Sequence, residues 1–109
     1  MIRLVRENVN DDVTLDDVYA VIGEYDGMWK SMKNGWKGEC KIYVRDLDGG
    51  YLFSLVWGDN TSEPDEIVYN TNKGTFAFYP YSGNMQKVSS LDELKRILKK
   101  EYSYLRKIR

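Results

Sequence analysis

Hydrophobic and polar residues alternate most regularly between residues 39 and 79, and the pattern predicts a four-stranded antiparallel meander. Cys40, Ile42 and Val44 alternate with Lys41, Tyr43 and Arg45, which is the period of a half-buried strand. Tyr51 to Trp57 is apolar on both faces, as expected of a central strand. Asp46-Leu47-Asp48-Gly49-Gly50 supplies the turn between these two runs, because glycine takes the positive φ of a tight hairpin. Ile67 to Tyr69 and Thr75 to Tyr79 flank a second turn at Thr71-Asn72-Lys73-Gly74, and Pro80 ends the ladder. The pattern leaves the parity open. The exposed set is either Tyr43, Leu52, Val56 and Tyr79, or Tyr51, Phe53 and Trp57.

Two helices are predicted around this sheet. Leu15, Val18, Ile22, Tyr25, Trp29, Met32 and Trp36 recur at alternating spacings of three and four, one continuous helical stripe. Thr14 is a good N-cap with Asp17 three residues on, and Asn34-Gly35 is a C-cap signal. The expectation is a helix from about 15 to 33, bent or broken near Gly23 and Gly27, each of which costs about 1 kcal/mol relative to alanine. Residues 81–90 read as a loop. Ser90 and Glu93 then form a capping-box signal for a second helix, whose stripe runs from Leu91 through Leu94 and Leu98 to Leu105 and Ile108. Residues 1–6 leave open a short N-terminal edge strand or an unordered start, and residues 7–13 read as a loop. The assembled expectation is an α+β fold, order (β)αββββα, in which one sheet face receives both helices.

Length and composition agree with this. A chain of 109 residues makes one domain, 1–109, long enough to bury a core without metal or disulfide. Its hydrophobic share of 42% and charged share of 30% are those of a soluble globular protein. No apolar run approaches the ~20 residues of a membrane span, so no membrane partner is expected. Without a secretory h-region, and with one cysteine that cannot pair internally, the expected compartment is the cytoplasm.

Charge changes the picture more. The net charge is -1, yet residues 7–26 carry seven acids and no base, while residues 95–109 carry seven bases and one acid. Complementation of helix dipoles explains much of this division. Two functional readings go further. Asp11, Asp12, Asp16, Asp17, Glu24 and Asp26, together with Tyr43 and Tyr79, are candidates for a surface that docks a partner protein, since aromatic residues anchor interfaces and acids steer association. Lys95, Arg96, Lys99, Lys100, Arg106, Lys107 and Arg109 are the alternative, a phosphate-binding basic helix interleaved with Tyr102 and Tyr104. The acidic isoelectric point near 5.5 and the lack of a nucleic-acid motif weigh against the second reading.

Catalytic chemistry finds little equipment. The chain has no histidine, which removes the commonest general base and zinc ligand, and one cysteine makes a structural zinc site untenable. Asp46-Leu47-Asp48-Gly49 begins like a calcium loop, but Tyr51 and Trp57 stand where glycine and glutamate are required. Asp59, Glu63, Asp65 and Glu66 crowd one loop and are the candidates for a cation site or an acid/base pair. Cys40 is expected as a buried, inert thiol. The expectation is therefore a small non-catalytic protein-binding module without cofactor, of the class that includes inhibitors, immunity and accessory factors. A carboxylate-based enzyme is a further alternative, and the first helical stripe would also suit a homodimer.

Overall fold

The computed structural model describes residues 13–109. The expectations for residues 1–12, including the edge strand and the placement of Asp11 and Asp12, lie outside the described residues. The fold is α+β: one antiparallel sheet of seven strands with two helices. In chain order the elements are α1 (Leu15–Ile22), a 3-10 turn (Gly23–Tyr25), β1 (Gly27–Ser31), β2 (Lys37–Leu47), β3 (Gly50–Trp57), β4 (Asp65–Asn70), β5 (Thr75–Tyr79), β6 (Gln86–Val88), α2 (Leu91–Glu101) and β7 (Leu105–Lys107). The spatial order is β6-β5-β4-β3-β2-β1-β7. Six strands follow one another as a meander, and the last crosses back past α2 to pair with the first.

The expected four strands are present as β2 to β5, and the sheet extends beyond them because two helical readings were too long, which adds β1 and β7, and because part of an expected loop pairs as β6. Thr14 and Asp17 form the capping box that starts α1, with bonds of 3.0 and 3.1 Å. The helix ends at Ile22. Gly27 then takes φ 142°, a conformation an L side chain rarely adopts, and the chain leaves as a strand. Tyr25 and Trp29 keep their helical spacing for another reason. Their rings stack at 5.6 Å, and the Trp29 indole donates to the Tyr25 carbonyl at 2.8 Å. Beyond that point the period is two, with Trp29 and Ser31 buried and Lys30 exposed.

The second helix is also shorter than expected. Ser90 caps it, accepting the Glu93 N–H at 3.1 Å. The Glu93 carboxylate returns to Ser89 rather than to Ser90, taking both its N–H and its hydroxyl at 2.8 Å. The helix stops at Glu101, and Leu105 belongs to β7, cross-strand from Ser31. Ile108 is exposed rather than part of a helical stripe. Residues 86–88, expected as loop, pair with β5 because Val88 can close over Phe76.

Both helices cover one face of the sheet. Val18 and Ile22 from α1 and Leu94, Leu98 and Tyr102 from α2 share a core with Trp29, Cys40, Phe53, Leu55, Ile67, Tyr69, Phe76, Phe78 and Val88. Full burial of each aliphatic side chain contributes about 1.5–3 kcal/mol. The core also holds a bond between two side chains, the Tyr102 hydroxyl donating to Asp65 at 2.6 Å. Among the described residues, no helix is long and apolar enough to cross a membrane.

Candidate docking face

The strand register fixes what the other face presents. Alternation places Cys40, Phe53, Leu55, Ile67, Tyr69, Phe76 and Phe78 under the helices. Tyr43, Leu52, Val56 and Tyr79 therefore point to the opposite side, the first of the two parities the sequence allows. No described element lies over that side.

Its side chains fall into cross-strand rows, with neighbouring strands about 4.8 Å apart. One row reads Arg45, Leu52, Val68, Ala77, Lys87 from β2 to β6. It is apolar in the middle and cationic at both ends. The adjacent row reads Tyr43, Ser54, Glu66, Tyr79. Tyr43 is 53% exposed and Tyr79 43%, so both rings stand clear of the sheet. Val56, paired with Lys41, is 6% exposed and fills the centre.

At the other end, Arg106, Lys30 and Lys37 sit directly cross-strand over β7, β1 and β2. Like charges in direct opposition destabilise a sheet. All three are exposed, and among the described residues no ion pair engages them. The ion pair on this face is Lys41 with Glu39 at 3.9 Å, half exposed on both sides and worth little. Six cations, Lys30, Lys37, Lys41, Arg45, Lys87 and Arg106, thus share this face with two acids, Glu39 and Glu66.

The candidates named from sequence are separated by this arrangement. Tyr43 and Tyr79 share one row of the open face. Asp16 and Asp17 occupy the first turn of α1, Asp17 being spent in the capping box, and Glu24 and Asp26 lie in and just after the 3-10 turn. These acids belong to the helix layer, so no single acidic and aromatic patch forms from them and the two tyrosines. The basic set also divides. Lys95, Arg96, Lys99 and Lys100 line the exposed side of α2, whereas Arg106 and Lys107 are on β7 and Arg109 follows it. Arg106 faces the open side, while Lys107 donates to the Glu24 carbonyl at 2.7 Å on the helix side. The row of Arg106, Lys30 and Lys37 was missed. Its members come from distant stretches, and only the pairing of β7 with β1 brings them together.

Of the four acids that crowd the β3–β4 loop in sequence, Glu63 and Asp65 are engaged in structure. Asp65 accepts from the Tyr102 hydroxyl and from the Tyr81 N–H at 2.9 Å. Glu63 accepts from Asn60 at 2.7 Å and from the Tyr81 hydroxyl at 3.0 Å, and these two bonds hold its carboxyl below its usual range. Among the described residues, no three acid, cysteine or histidine side chains converge as metal ligands would. Cys40 is fully buried, and its thiol is pushed up to about 12, mainly by burial and then by Asp26, Asp65 and Glu39. Burial pushes Tyr102 up strongly too, reinforced by the charge and the hydrogen bond of Asp65. The Trp57 indole pulls that phenol the other way, although its buried nitrogen has no partner of hydrogen-bond geometry. No protein-family model matches the chain, and no curated protein and no solved structure matches it.

Proposed function

We propose that this protein acts by binding rather than by catalysis, and that the open sheet face docks a partner protein. The observation that carries this reading is the row of Arg106, Lys30 and Lys37, three cations held in opposition at one end of an uncovered face whose other end carries an apolar strip. An acidic partner relieves the repulsion, and an apolar anchor on that partner fills the strip of Leu52, Val68 and Ala77. An apolar centre with a charged rim is the anatomy of a protein interface, and Glu66 at the centre disfavours a phosphate backbone. The lack of histidine and the buried thiol of Cys40 support a non-catalytic role. We place the protein with small cytoplasmic binders, the class of inhibitors, immunity and accessory factors.

One substitution tests the reading on two axes. Lys30→Glu puts an acid between Lys37 and Arg106, so stability rises by about 0.2–1 kcal/mol. The same change weakens binding of an acidic glutamate–tyrosine copolymer, followed by amide NMR shifts at Tyr43, Arg45, Leu52 and Val68. A variant that is more stable and binds less is the expected result. Shifts confined to Lys95, Arg96, Lys99 and Lys100 would overturn the assignment of this face. Tighter binding of oligo-dT than of the copolymer would replace the protein partner by nucleic acid.

A further inference from the structure

On the helix side of the sheet a second feature stands apart from the docking face. Three connections meet there: the β1–β2 turn, the β3–β4 loop and the α2–β7 turn. Between them lies a cleft of about 270 Å³, lined by Trp36, Trp57, Tyr104 and Leu105 and by the polar side chains of Ser31, Asn34 and Asn60. Ligand pockets for drug-sized molecules run to about 300–1,000 Å³, so this one suits a single small ring.

The walls are set by backbone bonds. Trp36 accepts at its carbonyl from the Ser31 N–H at 2.7 Å and donates its own N–H to Asn34 Oδ1 at 3.0 Å. Tyr104 is pinned through its carbonyl to the Met32 N–H at 2.7 Å. Gly38 lets the Trp36 ring lie flat against β2, since a Cβ there would meet it at 2.5 Å.

The polar groups are half used. Asn34 spends its oxygen on Trp36, so among the described residues its amide hydrogens are free. Asn60 spends its amide on Glu63, which leaves its oxygen as an acceptor. The Ser31 oxygen accepts two backbone N–H groups, at 3.1 and 3.4 Å, and its hydrogen is left to donate. The lining thus offers neutral donors, a neutral acceptor and aromatic faces, with no charged side chain among them.

Charge and ring geometry narrow the ligand. A cation is disfavoured because the Lys33 ammonium already sits 4.7 Å from the centre of the Tyr104 ring. An anion is disfavoured by the Glu63 carboxylate bonded to Asn60. A flat heteroaromatic base needs parallel walls, and the two indoles are inclined at 68° with centroids 6.3 Å apart. A pyranose satisfies what is left, with C–H bonds against an indole and hydroxyls reaching the two amides.

We propose that this cleft binds a neutral sugar, one pyranose ring presented as a free monosaccharide or as the end of a glycan. The three indole N–H signals provide the test. Trp29 serves as the internal reference, because its indole is bonded to Tyr25. The full chain is titrated with glucose, galactose, mannose and N-acetylglucosamine, and with their methyl glycosides. Tetramethylammonium, acetate and adenosine are the controls. The expected result is a saturable shift of Trp36 and Trp57, with Trp29 still, from at least one sugar. Asn60→Ala and Asn34→Ala should each weaken it by about tenfold or more. A response to the methyl glycosides equal to that of the free sugars assigns the glycan-end source, and a response to free sugars alone assigns the monosaccharide. The proposal is overturned if no sugar moves these signals up to about 100 mM, a hundredfold past a millimolar affinity. It is equally overturned if the shifts survive both asparagine variants, or if a control ligand gives the saturable response.

Discussion

Replacing Gly27 by alanine discriminates between two folds by sign. In a continuous helix over residues 15–33, alanine for glycine stabilises by about 1 kcal/mol. In the structure Gly27 has φ 142°, where a side chain is strained. Holding a non-glycine residue in such a region costs about 1–3 kcal/mol. The new Cβ would also lie 2.5 Å from the Arg109 carbonyl oxygen. That oxygen cannot simply retreat, because it accepts the Met28 N–H at 2.7 Å. Losing this bond adds about 1 kcal/mol, for a total of about 2–4 kcal/mol. Domains of this size have about 5–15 kcal/mol in all, so the melting temperature should fall on the order of 10–20 °C. Urea unfolding followed by circular dichroism measures the loss. Gly35→Ala is the control, since Gly35 has φ 77° with no atom within 4 Å of a new Cβ. It should cost only the strain, about 1–2 kcal/mol. Unchanged or raised stability in Gly27→Ala would refute the strand assignment at β1. A loss equal to that of Gly35→Ala would refute the close approach of Arg109.

Three further expectations concern the core and the caps. Tyr102→Phe removes the donor to Asp65 and should cost about 1.5–3 kcal/mol, the range for hydrogen bonds to charged groups; a loss within urea-titration error would mean the bond contributes nothing. The Cys40 thiol, with an ordinary value of 9.0, is raised to about 12 in the fold, so the folded state holds its proton more tightly than the unfolded state. Its contribution is complete below pH 9.0 and is lost as pH climbs toward about 12, with Tyr25, also pushed to about 12, acting in the same direction above its ordinary 10.0. The alkaline fall in urea midpoint should be shallower in Cys40→Ala, and an identical pH profile would rule the thiol out. Thr14→Ala and Ser90→Ala should each cost about 1 kcal/mol by thermal denaturation, as N-caps do, and a neutral result at either would deny that cap its role.

How far the fold could be read in advance follows from the range of each interaction. The hairpin at Gly49 and the turn at Lys73-Gly74 are local signals, and β2 to β5 were legible from them. So was the start of α1, because Thr14 and Asp17 are three residues apart. The end of α1 was not. Tyr25 and Trp29 are four residues apart whether the chain is helical or the rings stack across a turn, and here the stack accounts for the spacing. Residues 27–31 become a strand between two partners, β2 just downstream and β7 more than seventy residues downstream, and the helical spacing of Tyr25 and Trp29 masks the short period of two that would have reported it. The same pairing explains the misreading of Leu105, whose place in the helical stripe was fortuitous. Sheet parity is a third case. Tyr51 to Trp57 is apolar on both sides, so only the seating of Val18, Ile22, Leu94 and Leu98 decides which set is covered.

The pairing of β7 with β1 also produces both surfaces proposed here. On one side of the sheet it sets Arg106 beside Lys30 and completes the cationic row. On the other it brings Tyr104, at the mouth of β7, against the end of β1 and closes the Trp36–Trp57 cleft. The two surfaces therefore share a scaffold but not a side chain, and the thickness of the sheet lies between them. A variant confined to one should leave the other unchanged: Lys30→Glu should keep the indole response to sugar, and Asn60→Ala should keep the copolymer shifts. Residues on opposite faces with no shared partners are expected to act independently. If either substitution abolished both responses while the protein remained folded, the two sites could not be separate. The β1–β7 edge would then have to be a single binding element, read from two sides.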